Sequence, residues 1–143
     1  MCPANLTQTI GFVHDLIYVC APAPLQSGVV AGIDKLTRRF YHKLARSYSR
    51  KRDILCGALD DAGLRPITPN CAYYVLADIS AIEGNSSKAK VMRLLKDTKI
   101  AAVPGIAFYH DNAGENLARF CFAKRDSVLL KAARILRNNR YSS

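Results

Sequence analysis

The sequence predicts an α/β protein of the α+β kind, in which helices cover a small, mostly antiparallel β-sheet. Three observations indicate this fold class. Helical periodicity and strand-like alternation are mixed along one chain, several of the predicted elements are joined by short links, and half of the 143 residues are hydrophobic. A chain of this length is long enough to bury a core of its own.

Three helices are predicted in the first part of the chain. Apolar residues recur there at steps of three and four, and breaks separate the helices. Asn5 is a suitable N-cap for the first helix, and Pro24 fits the first turn of the second. Gly63 is suited to follow the third as its C′ residue. The predicted bounds are 3–19, 25–34 and 37–62.

Four strands and two further helices are predicted in the rest of the chain. CAYYVLADI is rich in aromatic and β-branched residues, and LARFCFA alternates in bulk, so each segment is expected to form a strand. Residues 73–77 and 117–122 are expected to be neighbouring strands of one sheet. Pro66 restricts the first strand to a sheet edge. Pro104-Gly105 predicts a type II turn, in which Gly tolerates the positive φ. The predicted strands are 64–68, 71–79, 100–103 and 117–123. The first of the two helices is 87–97, which the Gly84-Asn85-Ser86 break caps. Asp126 is expected to cap the last helix.

Arg119 is the candidate functional residue. It is the only charged side chain in an otherwise apolar predicted strand, and a guanidinium is rarely buried without a partner. One interpretation is that Arg119 meets an acidic side chain inside the protein or extends to an edge. The other is that its planar fork is held ready for a ligand carboxylate.

The net charge of +10 is concentrated in one predicted helix. Seven Lys and Arg residues and no acid lie between Thr37 and Arg52. Phe40, Tyr41 and Tyr48 are interleaved with them, so a nucleic-acid-binding module is the alternative function. A solvated helix face is the simpler interpretation, and no nucleic-acid partner is expected.

The cysteines and the lengths of the apolar runs indicate which compartment is expected. The five cysteines, at positions 2, 20, 56, 71 and 121, form no C-x-x-C pair, which argues against a zinc ribbon and a redox dithiol. A reducing, cytoplasmic compartment is therefore expected, with no metal site. No run reaches the ~18 apolar residues of a membrane span, and the first residues do not look like a signal peptide.

Five segments in order resemble one known family. They are HDLIYVCAPAPLQSGVVAGI, RSYSRKRDILCGALDDAGL, PNCAYYVLADI, KIAAVPGIAFY and NLARFCFAK. Together they resemble the C-terminal part of the class I/II pyridoxal-phosphate-dependent aminotransferases of fold type I. Cys71 departs from this pattern, because the family usually has Gly there.

The resemblance implies a function for Arg119. In this family the arginine of the matching strand binds the α-carboxylate of the amino-acid substrate. The intact enzyme would use pyridoxal 5′-phosphate, an amino acid and a 2-oxo acid. Other fold type I reactions, such as aminocyclopropane-carboxylate synthesis or a β-lyase reaction, stay open, since the same arginine serves them all.

The resemblance also implies what this chain lacks. No lysine here matches the family's Schiff-base motif, so we expect no catalytic or cofactor-binding residue, no covalently bound cofactor and an inactive fragment. Residues 1–36 would be the helical end of the large cofactor domain. Residues 37–143 would be the small domain, with 37–63 as the linking helix. The missing large domain and a second copy in a homodimer are the expected partners, and no membrane is involved.

Overall fold

The computed structural model describes residues 3–18, 20–110 and 112–141. In this part of the chain it has five α-helices, four β-strands and one 3₁₀ turn, in the predicted order of helices and strands. The helices are α1 (Ala4–Ile17), α2 (Ala23–Lys35), α3 (Arg38–Asp61), α4 (Ser87–Thr98) and α5 (Asp126–Asn138). The strands are β1 (Arg65–Ile67), β2 (Tyr74–Asp78), β3 (Val103–Pro104) and β4 (Leu117–Cys121).

The chain divides into two compact units, residues 1–42 and residues 43–143. In the first unit, α1 begins at Ala4 behind Pro3, and no side chain caps it. The prediction of Asn5 as its N-cap is therefore wrong, because Asn5 already lies in the first turn. Pro24 lies in the first turn of α2, as predicted. The predicted end of the first helix, Val19, lies outside the described residues.

The end of α3 follows the predicted glycine signal. Gly63 has φ +83°, a left-handed conformation that costs glycine little. Its N–H donates to the carbonyl oxygen of Asp60, and the N–H of Leu64 donates to that of Leu59. These two bonds form a Schellman motif, which satisfies carbonyl groups that the helix leaves free. The chain can then turn directly from α3 into the sheet.

The second unit contains one antiparallel sheet with the strand order β1-β2-β4-β3. The predicted pairing of the second and fourth strands is confirmed, with Val75 opposite Phe120 and Ala77 opposite Ala118. Pro66 lies on the edge strand β1, as predicted. The small antiparallel sheet with its helices confirms the predicted fold class.

The core lies on one face of this sheet. Alternate residues of β2 and β4 are buried, and they pack with the buried faces of α3, α4 and α5. The opposite face carries the other parity of β2 and β4, whose residues are partly or fully exposed. The buried strand residues are Val75, Ala77, Ala118 and Phe120, and the buried helix leucines are Leu55, Leu59, Leu94, Leu129 and Leu136.

Three local predictions are corrected. The second strand begins at Tyr74 and not at Cys71, because Ala72 takes φ +85° and interrupts the extended backbone. Gly105 does not have the positive φ of a type II turn; it begins the 3₁₀ turn Gly105–Ala107. Asp126 is the first residue of α5, and the N-cap position belongs to Arg125.

Candidate functional site

Arg119 lies at the centre of β4, on the sheet face opposite the core. Its neighbours in register are Leu76 of β2 and Val103 of β3, so strands flank it on both sides. The residues before and after it, Ala118 and Phe120, point into the core and are buried. The alternation of the strand therefore places the guanidinium on the outer face, where Arg119 is partly exposed.

Two aromatic rings hold the guanidinium of Arg119. Its central carbon lies 4.4 Å from the ring centroid of Phe108 and 5.2 Å from that of Tyr74. Both distances are within the range of a cation–π interaction. Rings attract the charge but do not use up the five N–H donors of a guanidinium, so those donors can serve another acceptor.

No carboxylate among the described residues forms an ion pair with Arg119. Under the interpretation that an internal acid neutralises Arg119, Asp78 of the neighbouring strand β2 would be that acid. Asp78 is engaged elsewhere: its Oδ2 accepts from Arg65 at 2.7 Å, and its Oδ1 accepts from the Ser80 backbone at 2.8 Å. Burial alone would raise the pKa of Asp78, but the hydrogen bonds from Ser80 and the charge of Arg65 outweigh it and lower the pKa. The idea that Asp78 neutralises Arg119 is therefore wrong.

A pair of glycines brings Phe108 to Arg119. Gly105 and Gly114 pack so closely that a Cβ on Gly105 would lie 2.3 Å from the carbonyl oxygen of Gly114. The 3₁₀ turn that starts at Gly105 ends at Phe108, whose N–H donates to the Gly105 carbonyl at 2.9 Å. Only residues without a side chain permit this approach, so the two glycines set the position of the ring.

The loop before β4 is tied to the start of α4. The Ser87 N–H donates to Glu115 Oε2 at 2.5 Å, and Lys90 Nζ donates to Asn116 Oδ1 at 2.8 Å. Ser86 caps α4 by accepting from the Ala89 N–H at 3.2 Å, as predicted. These bonds fix the loop that enters β4, and with it the register of Arg119.

Tyr74 and Phe108 were not predicted as site residues. Tyr74 carries only the ordinary strand alternation, and Phe108 lies beyond the strand in a turn. Their contact with Arg119 depends on the pairing of β2 with β4 and on the glycine pair. Of these two residues, only Tyr74 could have been placed from the sequence. It alternates with the buried residues of β2, so it lies on the same sheet face as Leu76 and Asp78.

Comparison with known proteins identifies the family. Residues 1–135 match the family model for aminotransferase class I and II. The match covers most of the chain, so the protein belongs to this family. The resemblance predicted from the five sequence segments is confirmed.

Similar proteins and structures agree with this membership. The chain is 33% identical to the kynurenine–oxoglutarate transaminase of Dictyostelium discoideum and 32% identical to the methionine aminotransferase of Escherichia coli, over 91% and 94% of its length. A solved structure of a methionine aminotransferase from Escherichia coli superposes with a TM-score of 0.72 at 31% identity, covering 95% of this chain and 35% of that one. N-succinyldiaminopimelate aminotransferase from Mycobacterium tuberculosis gives a TM-score of 0.77 at 26% identity, covering 96% and 36%. The chain spans about a third of the length of the curated relatives, 34% and 35% for the first two named.

Family membership implies pyridoxal 5′-phosphate as the cofactor of the intact enzyme. The lysines of the described residues do not indicate a site for this group. Lys90, the buried lysine of the described part, is hydrogen-bonded to Asn116, and Lys51 donates to the Lys124 carbonyl and pairs with Asp126. The other described lysines are exposed. No residue of the described part is therefore assigned to the cofactor.

The described residues also bear on metal binding and on membrane spanning. No group of three or more His, Cys, Asp and Glu side chains is placed to hold a metal ion there. No helix of the same residues combines the length and apolar character that crossing a membrane requires.

Proposed function

We propose that this chain is the C-terminal part of an aminotransferase that moves an amino group between an amino acid and a 2-oxo acid. Its contribution is recognition: Arg119 binds the α-carboxylate of the substrate through both arms of its guanidinium. One observation carries this role. The guanidinium is partly buried between two rings, and no acid of the described residues neutralises it.

The surroundings of Arg119 favour a carboxylate ligand on physical grounds. Two parallel N–H donors match two carboxylate oxygens, and such charge-assisted pairs are about twice as strong as neutral hydrogen bonds. Phe108 and Tyr74 restrict the orientation of the fork and keep part of it from water. Arg119 thus loses little conformational freedom when the ligand binds, which favours affinity.

The division of the chain belongs to the same proposal. Residues 1–36 would end the domain that holds the cofactor, 37–63 would link the domains, and 37–143 would form the small domain. The absence of any buried residue in the described parts of α1 and α2 supports this assignment, because both helices have apolar side chains for a further domain to cover. The homodimer and the cytoplasmic location stay predictions.

The test is a hybrid enzyme in which this chain replaces the matching third of the Escherichia coli methionine aminotransferase. Methionine and kynurenine are the first amino acids to assay, because the named relatives act on them. Arg119→Lys should lower kcat/KM by the equivalent of about 2–4 kcal/mol, since an ammonium cannot reproduce the planar fork and a desolvated carboxylate loses its partner. The cofactor absorbance should be unchanged, because Arg119 is not assigned to the cofactor.

The matched control is Arg65→Lys. Arg65 lies on the same sheet, is exposed and pairs with Asp78, so its exchange should leave kcat/KM within about threefold, or ~0.6 kcal/mol. A loss no larger than threefold for Arg119→Lys would make Arg119 a structural residue. A hybrid that binds the cofactor but transfers no amino group would contradict the assignment of the whole segment. The 143-residue chain alone should show no activity.

A further inference from the structure

A cleft of about 450 Å³ lies beside α5, within residues 43–143. One wall is α5, another is formed by the last residue of α4 and the segment 99–101 that follows it, and the end of β4 also lines the cleft. Most lining side chains are aliphatic or aromatic; the larger ones are Leu55, Ile100, Phe120, Val128, Leu129 and Ile135. The residues of the Arg119 site, Tyr74, Phe108 and Arg119 itself, do not line it.

The charged residues that line the cleft have one sign. Lys99, Lys124 and Lys131 line it, all three are exposed, and no Asp or Glu lines it. Lys99 donates to the carbonyl oxygen of Lys96, which leaves its positive charge unbalanced. Neither Lys124 nor Lys131 forms an ion pair with a carboxylate in the described part of the chain. The cleft therefore combines apolar walls with an uncompensated positive rim.

We propose that this cleft binds a small amphipathic carboxylate, with its ring or branched chain against the apolar walls and its carboxylate beside the lysines. The volume falls in the range of about 300–1,000 Å³ that small-molecule sites occupy. The apolar walls would bury the hydrocarbon part, and the lysines would attract an anion. The site is distinct from Arg119 and does not depend on the proposed function.

The sign of the charge distinguishes this occupant from others. An uncharged apolar molecule of the same shape would make the apolar contacts with the walls but would not be attracted by the lysines. An apolar protein segment would cover the cleft irrespective of a free carboxylate. A ligand that needs both parts must bind more tightly than its neutral analogue.

The experiment uses the 143-residue chain labelled with ¹⁵N, with indole-3-acetate as the probe and indole-3-acetamide as its uncharged analogue. Indole-3-acetate should shift the amide signals of Ile100, Val128 and Ile135 to saturation. It should bind about tenfold more tightly than the amide, as expected for a hydrogen bond to a charged group. The same affinity in Arg119→Lys would show that the ligand is not at Arg119.

Two pairs of variants locate the ligand in the cleft. Lys131→Gln should weaken binding of the acid and leave the amide unaffected, whereas Lys88→Gln, an exposed lysine of α4 outside the cleft, should change neither. Ala132→Phe places a ring in the cleft and should abolish the saturable shifts. Leu130→Phe, at an exposed position of α5 that does not line the cleft, should keep them.

Four results would overturn the proposal, and the first three concern the cleft alone. These three are equal affinity for acid and amide, shifts that do not saturate, and an Ala132→Phe chain that is folded by its spectrum yet still binds. Shifts confined to the strand of Arg119, and lost in Arg119→Lys, would also overturn it while supporting the carboxylate role of Arg119.

Discussion

Arg119 lies between two buried residues of β4, yet its guanidinium does not enter the core. Strand alternation sends Ala118 and Phe120 inward and Arg119 outward, where Phe108 and Tyr74 contact it. The cost of partly burying the charge is offset by the two rings and not by an acid of the described residues. This arrangement leaves the N–H donors available, which is the property that the proposed recognition role requires.

The acid dependence of stability should depend in part on Asp78. Its folded-state pKa is lowered, so the stabilisation is present above the unfolded pKa of about 3.9 and is lost as the pH falls through the lower folded value. Asp78→Asn should therefore flatten the fall in the free energy of unfolding that occurs as the pH drops below about 4. Urea unfolding at a series of pH values measures this.

Asp60→Asn is the control for the Asp78 prediction. It removes an exposed carboxylate of α3 whose side chain makes no hydrogen bond or ion pair with the described residues. Its pH profile should run parallel to that of the unchanged chain. If the Asp78→Asn profile ran parallel as well, the hydrogen bonds of Asp78 would not stabilise the fold.

The segment between β3 and β4 requires glycine at two positions, Gly105 and Gly114. Gly105 and Gly114 meet backbone to backbone, and the second also has no room for a side chain, since a Cβ there would lie 2.4 Å from the Gly105 carbonyl carbon. The contact closes the link on itself and holds Phe108 beside Arg119. Changes at either glycine should thus affect both stability and the site.

Gly105→Ala should lower the free energy of unfolding by about 1–3 kcal/mol, because its Cβ would meet backbone oxygen atoms of Gly114 and Leu117 that cannot move freely. Gly57→Ala is the matched control within α3. No atom lies within 4 Å of the Cβ that would be added there, and Ala is the better helix former, so stability should rise by roughly 0.5–1 kcal/mol. Urea unfolding of both variants provides the comparison. Equal stabilities would mean that the glycine contact can relax.

The two units of the molecule differ in what supports their helices. The helices α3, α4 and α5 contribute to the buried cluster, whereas α1 and α2, with 14 and 13 residues, have no buried residue in the described part. Leu6, Ile10, Val13 and Ile17 form an apolar stripe on α1, and all four are exposed. Isolated helices shorter than about 12–15 residues are marginal in water, so α1 and α2 should open readily.

Hydrogen exchange should separate the two units. Amides of residues 4–35 in the 143-residue chain should exchange at least about tenfold faster than those of β2 and β4, because opening them exposes little additional apolar surface. In the hybrid enzyme their exchange should slow, since another domain would then cover the stripe. Protection of α1 equal to that of β2 in the chain alone would show that this part is stable without a partner.

Local chemistry determined much of this protein. Apolar periodicity located the helices, Gly63 located the end of α3, and alternation in β4 separated Arg119 from the core, because each of these depends only on residues close in sequence. The order of elements followed from the same local patterns, and the family resemblance followed from five short segments. The predicted N-caps Asn5 and Asp126 lie just inside their helices, and Gly105 does not take the predicted positive φ. At such positions the alternative local conformations differ by little free energy.

Tertiary structure alone decided the surroundings of Arg119. Phe108 and Tyr74 are distant from it in sequence, and Asp78, the acid available for pairing, is instead bound to Arg65 and Ser80. The cleft beside α5 likewise combines side chains from α3, α5, β4 and the segment after α4. Such contacts depend on register, loop closure and packing between distant segments, and those are set by the fold as a whole and not by any local pattern.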